Sequence, residues 1–165
     1  NGTAYFAEKD LAIFTINSER YCFNERGEMQ TGLQSLKQAD GSFASYYFGD
    51  DGVMRTGKQT IYNDDLEENQ IWYFQTKGSL KGQGYHGERD NQVYVNGLLK
   101  KADPELRYEP VSIGEKRYLV NTSGTIQKAT SSSSSASRPE LGKGFKDIKD
   151  SNDTAWTVDT SGIIQ

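Results

Sequence analysis

Three adjacent carboxylate pairs, Asp50-Asp51, Asp64-Asp65 and Glu67-Glu68, are the residues whose type and spacing best suit acid and base chemistry in this chain. Two carboxyls on either side of a glycosidic bond are enough to hydrolyse it. Their setting speaks for a simpler role. Asp50-Asp51 occupies a slot that elsewhere holds Glu25-Arg26, Thr76-Lys77 and Thr122-Ser123, and a slot so variously filled just before a glycine reads as a turn. Nucleophilic catalysis has little to draw on: the one histidine, His86, lies in the loop GQGYHGERD, and the one cysteine, Cys22, stands where other parts of the chain carry Tyr47, Tyr73 and Leu119, which marks it as a packed apolar position. Zinc needs clustered Cys and His, and no stretch has the alternating acidic spacing of a calcium loop. We therefore expect no catalytic residues, no metal, no cofactor and no enzyme activity.

Charge and hydropathy remove two further classes. A net charge of −4 and a pI near 5.1, with no basic cluster longer than Lys100-Lys101, leave no stripe to displace counterions from nucleic acid. The apolar runs are a few residues long, far short of the roughly 20 that cross a bilayer. The sequons at Asn1, Asn121 and Asn152 are given no functional meaning. The chain opens at NGTAYF, inside what reads as a repeat, so we expect a piece of a longer protein.

The elements that position these residues repeat. Tyr21-Cys22-Phe23 precedes Gly27, Tyr46-Tyr47-Phe48 precedes Gly52, Trp72-Tyr73-Phe74 precedes Gly78, Tyr118-Leu119-Val120 precedes Gly124, and Trp156-Thr157-Val158 precedes Gly162. The first three glycines recur at 25 and 26 residues, within the range of stacked arrays. Two residues past each glycine stands a long apolar side chain (Met29, Met54, Leu80, Ile126, Ile164), and Gly32, Gly57 and Gly82 follow in the first three copies. The pattern predicts β-hairpins, each an aromatic strand, a turn closed by a left-handed glycine and a return strand. With 17 Gly against 3 Pro, 10 Tyr, 7 Phe and 2 Trp, the composition suits such a core of rings. One hairpin alone is too small to be stable, so the copies must stack. The fold class expected is all-β, a solenoid of stacked β-hairpin repeats.

Three segments follow. Residues 1–128 form the array, with a decayed first copy at Tyr5-Phe6, where Asp10 replaces the glycine and Ala12 to Thr15 is the return strand. An irregular copy at 93–99 turns on Asn96-Gly97, the sequence of a two-residue type I′ turn. Residues 129–143, which share all but the last residue of the run TSSSSSASRPELGKG (130–144), are a Ser-rich linker or loop with too little apolar surface to order itself. Residues 144–165 resume the pattern but are too short to fold alone, so they dock on the array or form a dimer through the terminal hairpin.

The runs YYFGDDGVMRTGKQTI and IWYFQTKGSLKGQG resemble the cell-wall-binding repeats of Gram-positive surface and secreted proteins, which include choline-binding modules, glucan-binding repeats of glucosyltransferases and the repetitive tails of clostridial toxins. The resemblance implies a left-handed hairpin solenoid, an extracellular or cell-surface location, and ligand contact at aromatic clefts between repeats. Choline-binding repeats carry a tryptophan directly after the second glycine. Leu33, Lys58 and Gln83 stand there, which argues against choline, while the run Thr56 to Ile61 is similar to the glucan-binding and toxin-type repeats.

Tyr21, Tyr46, Trp72, Tyr118 and Trp156 share the first ring slot and are the expected ligand-binding residues, with Tyr62 and Tyr85 secondary. Rings in series suit sugars by stacking and cations by their π faces. The function expected is a non-catalytic module that binds a polysaccharide or cell-wall polymer. The alternative is a structural spacer or protein-interaction segment whose rings are all core.

Overall fold

The computed structural model describes residues 4–165; the sequon at Asn1 and the first residues of the expected array lie outside them. The described residues are all-β apart from one 3-10 turn at Pro139–Leu141, and they build repeated antiparallel hairpins. The chain divides into two compact units, residues up to Tyr85 with Asn96–Leu98, and His86–Val95 with Leu99–Gln165.

In the first unit, β1 (Leu11–Ile16) pairs with β2 (Glu19–Asn24), which also pairs with the short β3 (Met29–Gln30). The same plan recurs in β4 (Gly32–Lys37), β5 (Phe43–Phe48) and β6 (Met54–Arg55), and again in β7 (Gly57–Asn63) and β8 (Glu68–Phe74). The second unit holds β9 (Gly87–Arg89), β10 (Gln92–Val95), β11 (Leu98–Leu99, whose Leu98 belongs to the first unit), the pair β12 (Tyr108–Ile113) and β13 (Lys116–Asn121), and the pair β14 (Lys146–Lys149) and β15 (Ala155–Val158).

Each aromatic strand therefore has its long partner upstream, and the return strand after the glycine is a short third strand. The sequence pattern placed only the short one. The upstream turns carry residues at positive φ, Asn17-Ser18 at 51° and 70° and Asp90-Asn91 at 51° and 65° in two of them, Gly41 at 87° and Gly114 at 59° in two others. Ala12 to Thr15 lies in β1 as an upstream leg of the first full copy, and residues 4–10 are a connector with Asp10 at φ 56° rather than a ring strand. Asn96 and Gly97, at φ 49° and 97°, form the tight turn expected of their sequence.

One hydrogen-bond pair closes the standard turn. Asn24 N–H donates to Glu28 O and Gly27 N–H to Asn24 O; Gly49 with Val53 and Gly52, Asn121 with Thr125 and Gly124, and Asp159 with Ile163 and Gly162 repeat it. In the third copy the bonds run from Gln75 N to Gln83 O and from Gly82 N to Gln75 O. That turn closes on Gly82, not Gly78, around a longer tip at Thr76–Lys81. The residue opposite Phe74 is then Gly84, as Met54 is opposite Phe48 and Ile126 opposite Val120, and Leu80 is a tip residue, 48% exposed.

The closing glycines 27, 52, 82, 124 and 162 all have φ between 77° and 91°, where a Cβ costs about 1–2 kcal/mol. A Cβ on Gly52 would also overlap Met29 Sδ, although Met29 is half exposed and can swing aside. Gly52→Val is expected to cost about 2 kcal/mol and to lower the melting temperature by several degrees in a calorimetric scan. An unchanged melt would remove the left-handed assignment.

Core residues gather in each unit separately. Cys22, Leu36, Tyr46 and Phe48 form one cluster, with Leu11, Ile13, Ala44 and Met54 against it; Val93, Val111, Tyr118, Val120 and Ile126 form another. Burial pushes the Cys22 thiol up to about 11, which makes it a packing residue and not a nucleophile.

The terminal hairpin β14–β15 docks on its own chain: Ile163 bridges Tyr118, and Ile164 N–H donates to Arg117 O at 2.7 Å. The Ser-rich segment is an ordered loop held by polar contacts. Asp147 accepts from Ser135 Oγ, from Thr157 Oγ1 at 2.9 Å and from Ser137 N–H at 2.8 Å, and Gly144 N–H reaches Ser133 O. These donors hold the Asp147 carboxyl far below the usual carboxylate range, the Ser135 hydroxyl contributing most. A depressed folded-state pKa gives stability that is present above the unfolded value near pH 4 and drains as pH falls below it. Protection factors for hydrogen exchange in residues 130–145, taken relative to the intrinsic rate at each pH, are expected to fall below pH 4, and Asp147→Asn is expected to show that lower protection already at pH 7.

Candidate binding surfaces

The first ring slot does not have one environment. Tyr46 and Tyr118 are 9% and 8% exposed and belong to the two core clusters, so neither presents a face to a ligand. Tyr21, Trp72 and Trp156 are half-buried. In the copy that turns on Asn96-Gly97 the same slot is held by Gln92 and carries no ring, as the shared bonds from Lys100 N to Val93 O and from Gln127 N to Leu119 O show.

Trp72 stacks on Phe74 with centroids 6.0 Å apart and planes 5° from parallel, and Phe74 stacks in turn on Tyr47 at 6.1 Å. A Cβ on Gly97 would stand 3.0 Å from Trp72 Cε3, so that turn lies directly on the indole. The indole Nε1 is buried without a hydrogen-bond partner. Trp156 donates from Nε1 to Asp150 Oδ2 at 3.1 Å, and the Arg117 guanidinium lies 5.5 Å from its ring centroid. A cation of the protein already covers the face that a cationic ligand would use. Arg117→Ala is expected to raise acrylamide quenching of Trp156 in a Trp72→Phe background; unchanged quenching would mean that Arg117 does not cover the ring.

Of the secondary residues, Tyr62 is 56% exposed on β7, and Tyr85 meets Tyr73 edge-on at 6.1 Å. His86 is exposed. Asp51 accepts from Val53 N–H and from the Arg55 guanidinium, each at 3.0 Å, which is turn chemistry. Among the described residues, no group of His, Cys, Asp and Glu could hold a metal ion, and no helix is long and apolar enough to cross a membrane.

A further ring surface involves residues outside the expected set. In the β1–β2 register Phe14 faces Tyr21 and Ala12 faces Phe23, which puts Phe14, Tyr21 and Phe23 on one face. Tyr5 from the connector joins them, stacked on Phe23 at 5.9 Å and edge-on to Phe14 at 5.4 Å. Phe6, 54% exposed, stands as a ridge between two clefts. One, of about 600 Å³, is lined by Ala4, Tyr5, Phe23, Glu25, Arg26 and Gly27; the other, of about 510 Å³, by Ala4, Glu8, Lys9, Ala12 and Phe14. Arg26 pairs with Glu28 at 3.0 Å, and the Asn24 amide together with that guanidinium holds the Glu28 carboxyl below its usual range. Rings form the floor and charged side chains the rim. The signal for this surface was the alternation of Phe14, Tyr21 and Phe23, legible only once β1 is recognised as the partner of β2.

The hairpin plan has a counterpart among solved structures. CbpF, in complex with ipratropium introduced by soaking, superposes with a TM-score of 0.50 at 19% identity, over 95% of this chain and 38% of that one. The likeness is one of fold. Looser likenesses are CbpJ from Streptococcus pneumoniae TIGR4 (TM-score 0.48, 17% identity, 98% of this chain and 49% of that one) and alternansucrase in complex with isomaltononaose (0.45, 16%, 94% and 10%). The chain thus spans well under half the length of CbpF. No protein-family model and no curated protein matches the sequence. Likeness at such low identity describes the scaffold alone.

Proposed function

We propose that the chain is a non-catalytic module that attaches a secreted bacterial protein to a polysaccharide or cell-wall polymer outside the cell. The observation that carries this reading is the surface of Tyr5, Phe14 and Phe23 beside exposed Phe6, an apolar floor with a polar rim suited to sugar faces. Of the shared-slot residues, Tyr21, Trp72 and Trp156 keep enough exposure to add contacts, whereas Tyr46 and Tyr118 act as core. The scaffold shared with choline binding protein F supports the same class of role. Single contacts of this kind are weak, and several on one polymer raise the effective concentration of the next.

The test is retention on purified Gram-positive cell walls and on insoluble α-glucan. We expect retention that a Phe6→Ala variant weakens while keeping its melting temperature, because Phe6 is exposed. No retention on either material would overturn the reading. A structural spacer is the second reading, favoured by the burial of Tyr46 and Tyr118 and by Arg117 lying over Trp156.

A further inference from the structure

One packing rule recurs in both units. The apolar residue of one copy sits on the closing glycine of the next: a Cβ on Gly52 would overlap Met29, one on Gly82 would overlap Met54, one on Gly162 would overlap Ile126, and one on Gly124 would stand 3.2 Å from Leu99 Cδ1. The first copy departs from it. Among the described residues, a Cβ on Gly27 would meet only Tyr5 O at 3.1 Å and Phe6 Cβ at 3.9 Å.

The residue that should fill this socket can be identified by two markers. Tyr5 O faces Gly27 as Lys100 O faces Gly124 and Gln127 O faces Gly162, the latter two at 3.0 Å. Ala7 N–H donates to Asn24 O as Ala102 does to Asn121 O and Ala129 to Asp159 O, all at 2.9 Å. The residue before Tyr5 is therefore the counterpart of Leu99 and Ile126. It is Ala4. A methyl stands where the other copies place Met, Leu or Ile, and the cleft of about 600 Å³ lies at that point.

We propose that this socket binds the acetamido group of an N-acetylated sugar, with the acetyl methyl over Gly27 and the sugar ring against Phe6. The proposal rests on the polysaccharide reading above and names its ligand more closely. The socket accepts an aliphatic group in the copies closed by Gly52, Gly82, Gly124 and Gly162, and an acetyl methyl is an aliphatic group that a sugar can carry. The Tyr5 carbonyl beside Gly27 can accept the amide N–H, a bond that a quaternary ammonium cannot give. Tyr5 and Phe23 turn their faces to one another, with planes 20° apart, and so do not form a cage around a cation. Arg26 and Glu25 at the mouth are placed for the amide oxygen and the hydroxyls.

The test compares chitotriose with cellotriose, which has the same linkage without acetamido groups, by amide chemical-shift titration. Burial of one methyl alone gives about fourfold tighter binding. We expect chitotriose to shift the Gly27 and Ala7 amides and to bind at least about fourfold tighter than cellotriose. Ala4→Met, which restores the apolar residue of the other copies, is expected to abolish those shifts with an equal or higher melting temperature. Phe6→Ala weakens binding without touching the core, and keeps the test sound if the methionine disturbs folding. Equal binding of the two sugars, unchanged binding in both variants, or tetramethylammonium shifting the same amides would overturn the inference. If cell walls retain the wild type and Ala4→Met alike, this inference fails and the polysaccharide reading stands; if they retain neither and α-glucan also fails, that reading falls.

Discussion

Gly84→Met is expected to destabilise the chain by about 3 kcal/mol or more, although it restores the residue type that equivalent positions carry. Met29, Met54 and Ile126 stand opposite the last ring or β-branched residue of their strands, and Gly84 stands opposite Phe74. A repeat-averaged design would install methionine. The backbone forbids it: a Cβ on Gly84 would overlap Asn96 O and stand 2.7 Å from Asn96 C and 2.9 Å from Gly97 N. The contacting atoms are main chain, held by bonds from Gly97 N to Tyr85 O and from Tyr73 N to Gly97 O, each at 2.8 Å, so nothing flexible can give way. For a chain of this length, 3 kcal/mol corresponds to roughly 6–12 °C in melting temperature. Gly84→Ala should show most of that loss by calorimetry, and Gly32→Ala, with nothing within 4 Å of its Cβ, only the conformational cost of φ 75°. Equal melts for the two alanine variants would show that the Asn96-Gly97 turn does not pack there.

Phe74→Ala should cost about 3–5 kcal/mol, the range for removing a fully buried phenyl ring. Its ring lies between Tyr47 of one copy and Trp72 of its own, so the loss opens a cavity and frees both stacking partners. Two readouts should move together: a lower melting temperature, and red-shifted tryptophan emission in a Trp156→Phe background. A shift in stability with unchanged emission would mean that Phe74 does not support the indole.

What the sequence showed, and what it hid, follows from where the physics is local. A closing glycine is a local requirement, since only a left-handed conformation completes the turn, and four of the five glycines chosen from spacing are the ones that close turns. Gly78 misled because a longer tip happened to place a glycine at the right interval, while the bond that defines closure goes to Gly82. The long upstream strands were hidden because no single residue type marks their turns: Asn17-Ser18 and Asp90-Asn91 make two of them, while Gly41 and Gly114 make two others. Ring exposure was hidden for another reason. Tyr46 and Tyr118 have the same local pattern as Tyr21 and Trp156, and only the packing of neighbouring strands decides which face meets water. Phe14 and Tyr5 entered the candidate surface through pairing and contact that no run of residues displays.

The longer tip at Thr76–Lys81 has a practical consequence. Strand pairing around Phe74 persists while the connection above it grows, and at Asn96-Gly97 a comparable connection shrinks to two residues. Tip length is thus uncoupled from the ladder beneath it. The segment Lys77–Leu80, exposed throughout, is a natural place to splice in a foreign peptide, such as an epitope or a labelling tag, without disturbing the ring surface of the first copy.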